Sequence, residues 1–349
     1  MSSTKINIRH LSQEELVDFC TTHNYPTYRA KQVYQWLWKK SVKSFDEMRN
    51  LPSEFISFLE ETFCINHAII SESQISSDKT IKAAITLFDN KHVEGVLIPS
   101  KTRITACISS QVGCSLSCKF CATGRLDRLR NLGADEMYDQ VFLLNTLAQE
   151  TYQKKLSNIV YMGMGEPLLN YKNVLQSIKM ITSEDGLAMS PKRITVSTAG
   201  IAKLIQQLGD DQVTFNLALS LHAANDHKRN YIMPINEHNS LESLQQAIKY
   251  FYEKTATRLT YEYIIFKDFN DSLSDAVELA NFAKITPCKI NIIEYNPIDE
   301  GEFQQAHPEK VAEFVDYLER RNLIVNIRRS RGKDIDAACG QLANKLVKS

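Results

Sequence analysis

Beyond residue 100 the chain alternates short β-branched or aromatic runs with longer stretches whose apolar positions recur every three or four residues. The short runs are ITACI (104–108), NIVYM (158–162), RITVS (193–197), VTFNLALSL (213–221), RLTYEYIIF (258–266) and KINIIEY (289–295), and each predicts a strand. Helical patterns fill the gaps at 135–150, 171–183, 200–208, 241–254 and 273–285. A further helix is predicted at 308–321, with Pro308 well suited to its first turn, and LIVNIR (323–328) reads as one more strand. Six successive βα units imply a parallel sheet with right-handed crossovers. Six is fewer than the eight of a closed barrel, so the expected fold class is α/β, a partial (β/α)6 TIM-type barrel.

The first ninety residues follow another pattern. They contain no glycine, whereas all twelve glycines lie at or after Gly95. Helical periodicity appears in QEELVDFC after Ser12, in YRAKQVYQWLWKK, and in EFISFLEETF after Ser53, both serines being expected caps. Two short strands are predicted at 80–86 and 92–98, and the Trp36, Leu37, Trp38 group is expected in a core. The domain reading is therefore a small helical accessory module at 1–90, a candidate RNA contact, followed by a core at 91–349.

Composition narrows the class. Hydrophobic residues make up 43% and charged residues 23% of the 349, ordinary values for a globular protein and too apolar for disorder. No apolar run approaches the roughly 18–20 residues needed to cross a bilayer. The opening MSSTKINIRHLSQEEL has no apolar core of a secretory signal, so a cytoplasmic protein is expected, with nothing demanding more than a monomer. The 41 basic and 41 acidic residues cancel, which excludes a general polyanion binder. Two stretches are locally basic: Lys119, Arg125, Arg128 and Arg130 against Asp127, and the C-terminal region with Arg328, Arg329, Arg331 and Lys333. Such patches permit RNA binding, but solvated cations on helix faces explain them equally well.

Polar residues gather at predicted strand ends. The first strand runs into a cysteine group, the second into GMGEP, the third into Ser197-Thr198, the fourth into Ser220 and His222, and the sixth into Asn296. Parallel α/β sheets bind ligands at that rim. Of the eight cysteines, Cys20, Cys64 and Cys288 are scattered and read as small core residues. Cys114, Cys118 and Cys121 form a C-x3-C-x2-C run in a loop. Three thiolates so spaced can hold three corners of a cube-shaped iron–sulfur cluster and leave one iron open. A zinc site wants four ligands, and Cys107 or His222 could supply the fourth, so counting alone leaves zinc open.

This run resembles the signature of the radical S-adenosylmethionine (SAM) superfamily. The likeness is closest to its RlmN branch of RNA adenine methyltransferases. It is carried by SSQVGCSLSCKFCATG (109–124), YMGMGEPLLNY (161–171), STAGI (197–201), LALSLHAAND (217–226), IMPIN (232–236) and DIDAACGQL (334–342). The resemblance implies a 4Fe-4S cluster on Cys114, Cys118 and Cys121, with SAM on the open iron. It implies SAM contacts at Gly163, Gly165, Glu166, Ser197, Ser220, Leu221, His222 and Asn296. Cys339 would be the methyl-carrying thiol and Cys107 the thiol that resolves the adduct through a transient disulfide. Glu94, in HVEGVLIP, matches the family's candidate proton acceptor.

The implied reaction is methylation of adenine C2 in large-subunit (23S) ribosomal RNA and in tRNA near the anticodon, with a flavodoxin-like electron donor. Elementary chemistry agrees with a radical route. C2 of adenine is an electron-poor ring carbon that cannot attack a sulfonium methyl directly, and a cysteine thioether is a suitable one-carbon carrier. Three rivals stay open at this point: methylation at adenine C8, a radical enzyme acting on a peptide or small metabolite, and a zinc-stabilised RNA-binding module.

Overall fold

The computed structural model describes residues 5–345. Its main sheet begins with β1 (Ile69–Ile75), β2 (Ile81–Thr86), β3 (His92–Pro99) and β4 (Ile104–Ile108). It continues through β5 (Asn158–Tyr161), β6 (Ile194–Thr198), β7 (Asn216–Ser220), β8 (Leu259–Ile265), β9 (Cys288–Glu294) and β10 (Val325–Arg328). The ten strands lie side by side in chain order. β1 to β4 pair antiparallel, and β4 to β10 pair parallel.

Chain order decides the shape. Every parallel step advances one place in the same direction, so right-handed crossovers put the connecting helices on one face. The other face is left to curve inward as a partial barrel. The six predicted units run from β4 to β9, and β10 adds a seventh parallel strand. The crossover helices are α4 (Ala134–Tyr152), α5 (Tyr171–Thr182), α6 (Ala202–Asp210), α7 (Asp226–Ile232), α8 (Leu241–Thr255), α9 (Leu273–Ala283) and α10 (Pro308–Arg320).

The N-terminal helices are α1 (Gln13–Thr22), α2 (Tyr28–Trp38) and α3 (Ser53–Thr62). Ser12 caps α1 in a reciprocal box with Glu15, as the sequence predicts. Ser53 is not a cap; it is the first helical residue, and Pro52 precedes it. Trp38 is buried and Trp36 only partly so. The module is tied to α4 by Arg9, whose guanidinium forks onto Asp139 at 2.6 and 2.8 Å and stacks over Trp38.

Besides two-residue strands and single 3-10 turns, two longer elements escape the sequence pattern. β1 is an edge strand, IISESQI, with no fully buried residue, so alternation is lost. Its pairing with β2 means that the core sheet begins at residue 69, before the expected boundary at 90. α7, DHKRNYI, spans only seven residues and is too short and polar for periodicity to reveal.

Candidate active site

The cysteine loop leaves β4 through a tightly held stretch. Gln140 of α4 accepts from the Ser109 N–H at 2.8 Å and donates to its carbonyl at 3.0 Å. Gly113 (φ +78°) and Ser117 (φ +52°) then turn the chain back. Cys114, Cys118 and Cys121 line one cavity together with Gly163, Gly165, Glu166, Ser197, Ser220 and His222. The sequence motifs from four strand ends thus meet on one wall.

The GMGEP turn shows why glycine is needed. A Cβ on Gly163 would lie 2.7 Å from the Ile108 carbonyl oxygen and the Ser109 hydroxyl. Gly165 has φ +94°, and its Cβ would meet Gln111 at 2.5 Å. Glu166 follows, buried, with Oε2 accepting from the Ala199 N–H at 2.7 Å and Oε1 from the Leu168 N–H at 3.0 Å. Burial pushes its carboxyl above the usual range, and these N–H groups oppose that shift.

Ser197 and Ser220 hydroxyls touch at 3.2 Å across β6 and β7. His222 sits at φ +55°, a left-handed conformation that surrounding bonds enforce. Its N–H donates to the Glu262 carbonyl, and its own carbonyl accepts from Asn270 at 2.7 Å. Ring Nδ1 accepts from the Ile264 N–H at 3.0 Å, so the neutral ring carries its proton on Nε2. Burial, helped by Arg229, pushes the His222 pKa down to about 3.

A second cavity opens beside the first and shares Cys121, Gly163, Arg328 and Cys339 with it. Cys107 lines this second cavity, so both candidate catalytic thiols face one space. Burial, with Cys339 next, pushes the Cys107 thiol up to about 12. Arg328 reaches both thiols electrostatically and is held by Glu262 at 3.2 Å, which Asn291 holds in turn at 2.8 Å. Cys339 is exposed, on a segment docked against the cysteine loop. There the Ala122 N–H donates to the Gly340 carbonyl at 2.7 Å, and the Thr123 hydroxyl to the Leu342 carbonyl at 2.6 Å.

The thiols fit a multi-iron cluster. Burial raises the pKa of Cys114, Cys118 and Cys121, and for Cys118 both partners' charges add to the rise, so the three sulfurs are near neighbours. All three line one cavity at the strand ends. A buried acceptor, Asn296 Oδ1, has no partner among the described residues, and its amide donates to the Cys339 carbonyl at 3.1 Å.

Three predicted residues are not on the cavity walls. Leu221 is a core side chain whose carbonyl accepts from Arg229 at 3.0 Å. Asn296 contacts the Cys339 main chain instead. Glu94 lines neither cavity; its carboxylate accepts from the Ala343 and Asn344 N–H groups. The basic patches are also partly spent. Arg130 is locked between Asp89 and Glu136 by four contacts of 2.7–2.8 Å, which removes it from phosphate binding. Lys333 pairs with Glu294 at 2.9 Å and Arg331 lies 3.8 Å from Asp78, Arg329 and Arg331 stay exposed at the Cys107 cavity, and the C-terminal Lys348 lies outside the described residues.

Sequence reasoning missed Arg229. This fully buried guanidinium donates to the carbonyls of Ala199, Ser220 and Leu221 and to Asn236, at 2.5–3.2 Å. It holds the tips of β6 and β7 behind the cavity. The only signal was an arginine close before the IMPIN motif.

Comparison with known proteins agrees with this geometry. Residues 6–65 match the family described as the ribosomal RNA large subunit methyltransferase N-terminal domain, and residues 108–283 match the radical SAM superfamily. A Cytophaga hutchinsonii protein named "Probable dual-specificity RNA methyltransferase RlmN" is 58% identical, covering 99% of this chain and 96% of its own. A Christiangramia forsetii protein of the same name is 53% identical over 98% of this chain and 97% of its own. The crystal structure of a radical SAM methyltransferase from Sphaerobacter thermophilus superposes with a TM-score of 0.90 at 35% identity, over 97% of this chain and 99% of that one.

Proposed function

We infer, on the premise that the chain belongs to the RlmN family of radical SAM RNA methyltransferases, that it methylates C2 of adenine in large-subunit ribosomal RNA and in tRNA near the anticodon. The observation that carries this reading is that Cys107 and Cys339 share one cavity, continuous with the one lined by Cys114, Cys118 and Cys121. When bound, a 4Fe-4S cluster supplies the electron that cleaves SAM reductively and so makes carbon-radical chemistry available.

The protein's own groups do the rest. Glu166, Ser197, Ser220 and the Nε2–H of His222 offer SAM a carboxylate, two hydroxyls and a ring donor along one wall. Gly163 and Gly165 let main chain approach it closely. Cys339 takes a methyl group from a sulfonium and becomes a thioether, the one-carbon carrier. The SAM-derived carbon radical removes one hydrogen atom from that methyl group, the carbon bonds to adenine C2, and the adduct loses the C2 proton and one electron, returned to the external donor, to restore the ring. The Cys107 thiolate then attacks the Cys339 sulfur; the sulfur–carbon bond breaks as a Cys107–Cys339 disulfide forms, and the electron pair left on carbon takes up a proton to complete the methyl group. Two external electrons reset that disulfide, and a flavodoxin-like protein is the proposed donor. Arg328 lies beside both thiols, and its charge opposes the rise that burial gives Cys107.

RNA would approach where Arg329 and Arg331 remain exposed, with the N-terminal helices as a second contact, and affinity should fall steeply with salt. The target adenine must leave its stack to reach the thiols. The enzyme is proposed to work as a cytoplasmic monomer.

The test is nucleoside digestion of treated ribosomal and transfer RNA followed by mass spectrometry. 2-Methyladenosine is expected, 8-methyladenosine would move the protein to the C8 branch, and unmodified RNA would refute the substrate assignment. Intact-mass analysis should find one added methyl on the Cys339 peptide, and Cys339→Ala should lack it and make no product.

A further inference from the structure

Glu94 and Lys82 form a charged pair where charge is expensive. Glu94 is 0% and Lys82 2% exposed, on adjacent strands β3 and β2. Ala84 pairs with Glu94, Lys82 with Val96, and Val96 with Cys107, so these side chains share the inner face of the sheet. The Lys82 ammonium lies 3.6 Å from Glu94 Oε1 and 3.5 Å from the Asp336 carbonyl. Burying such a pair is weak support for stability, because desolvation offsets much of the attraction. Its use is better sought in what the carboxylate holds.

Glu94 Oε2 accepts from the N–H groups of Ala343 at 2.8 Å and Asn344 at 3.1 Å. The Asn344 side-chain amide donates a hydrogen bond to the His92 carbonyl at 2.9 Å. These residues lie four and five positions after Cys339. On the near side, the carbonyls of Cys339, Gly340 and Leu342 are held by Asn296, Ala122 and Thr123. Before Cys339, Asp334 accepts from Ser76 and Ser77 of the β1–β2 turn. The thiol-bearing segment is thus pinned at both ends, and Glu94 supplies the downstream pin.

We propose that Glu94 is a positioning residue, whose carboxylate, backed by the buried Lys82 ammonium, grips the Ala343 and Asn344 main chain and so fixes the reach of Cys339. The proposal rests on Cys339 being the methyl carrier. It places Glu94 behind the thiol-bearing segment rather than against the base, in keeping with its absence from both cavity walls. A thiol that must meet two different carbon centres gains from anchored ends, because misplacement by about 1 Å can reduce a rate about a hundredfold.

Hydrogen exchange by mass spectrometry on the reconstituted full-length enzyme tests this. In Glu94→Ala, peptides covering 338–345 should exchange about tenfold faster, the loss expected for main-chain amides without an acceptor, while peptides from β4 to β8 stay protected. Glu94→Gln keeps an oxygen facing both N–H groups, so it should retain most of the protection and rescue most of the turnover lost in Glu94→Ala. Ala343→Pro, which deletes one gripped N–H and leaves the buried pair intact, should reproduce the loss of protection downstream of Cys339. Exchange in Glu94→Ala within twofold of the parent would overturn the proposal. So would a Glu94→Gln enzyme that is protected yet as inactive as Glu94→Ala, since that pattern belongs to a proton acceptor. Failure of the methyl-carrier reading would show separately, as an unmethylated Cys339 in the parent enzyme with exchange unaffected.

Discussion

Arg229→Met is the sharpest probe of how the cavity wall is held. The guanidinium is wholly buried and makes four hydrogen bonds, three of them to main-chain carbonyls at the tips of β6 and β7. Hydrogen bonds to a charged group contribute about 1.5–3 kcal/mol each, but they are not additive, and burial opposes the charge itself. Burial indeed lowers the Arg229 pKa to about 10. Methionine fills similar space and withdraws a donor from four buried oxygens, of which the Leu221 carbonyl keeps the Ala223 N–H; the loss should cost about 3–5 kcal/mol. At about 2 °C per kcal/mol for a chain of this size, the melting temperature should fall by about 6–10 °C. Because Ala199 and Ser220 line the cavity proposed to take SAM, SAM affinity measured by calorimetry on the folded variant at 10 °C should also drop about tenfold or more. Arg229→Lys should recover less than half of either loss, since one ammonium cannot span four acceptors. A variant melting within 2 °C of the parent and binding SAM within twofold would refute the reasoning, and with it the claim that Arg229 shapes the site.

Two further outcomes follow from the same wall. His222 has a folded pKa of about 3 against an ordinary 6.5, so its stabilising effect is complete above pH 6.5 and drains away as pH falls toward 3. Between pH 6.5 and 4.5, before most carboxylates titrate, this should remove about 1.4 kcal/mol per pH unit, and His222→Gln should flatten that slope in urea titrations. Gly163→Ala forces a Cβ to 2.7 Å from a main-chain oxygen at the end of β4; it should cost about 1–3 kcal/mol and weaken SAM binding, and an unchanged melting curve would count against that contact.

Much of the chemistry was legible in the chain itself. The alternation of strand and helix follows from local periodicity, which needs no partner to be read, and so the barrel-like core and its rim of polar residues emerged directly. The CSLSCKFC run and GMGEP were visible because their chemistry depends on spacing along a loop. What sequence could not supply was direction. Leu221 and Asn296 sit at the predicted strand ends, yet one turns into the core and the other toward the Cys339 main chain. Arg130 looked as free as Arg329 until folding brought Asp89 and Glu136 around it. Arg229 and the Lys82–Glu94 pair gain meaning only from carbonyls, N–H groups and charges that lie far away in sequence. Periodicity fixes which face of its own element a side chain takes, a property of a few neighbouring residues. Which polar groups meet across elements depends on register, crossover and closure of the whole sheet, and these are decided only when the chain folds.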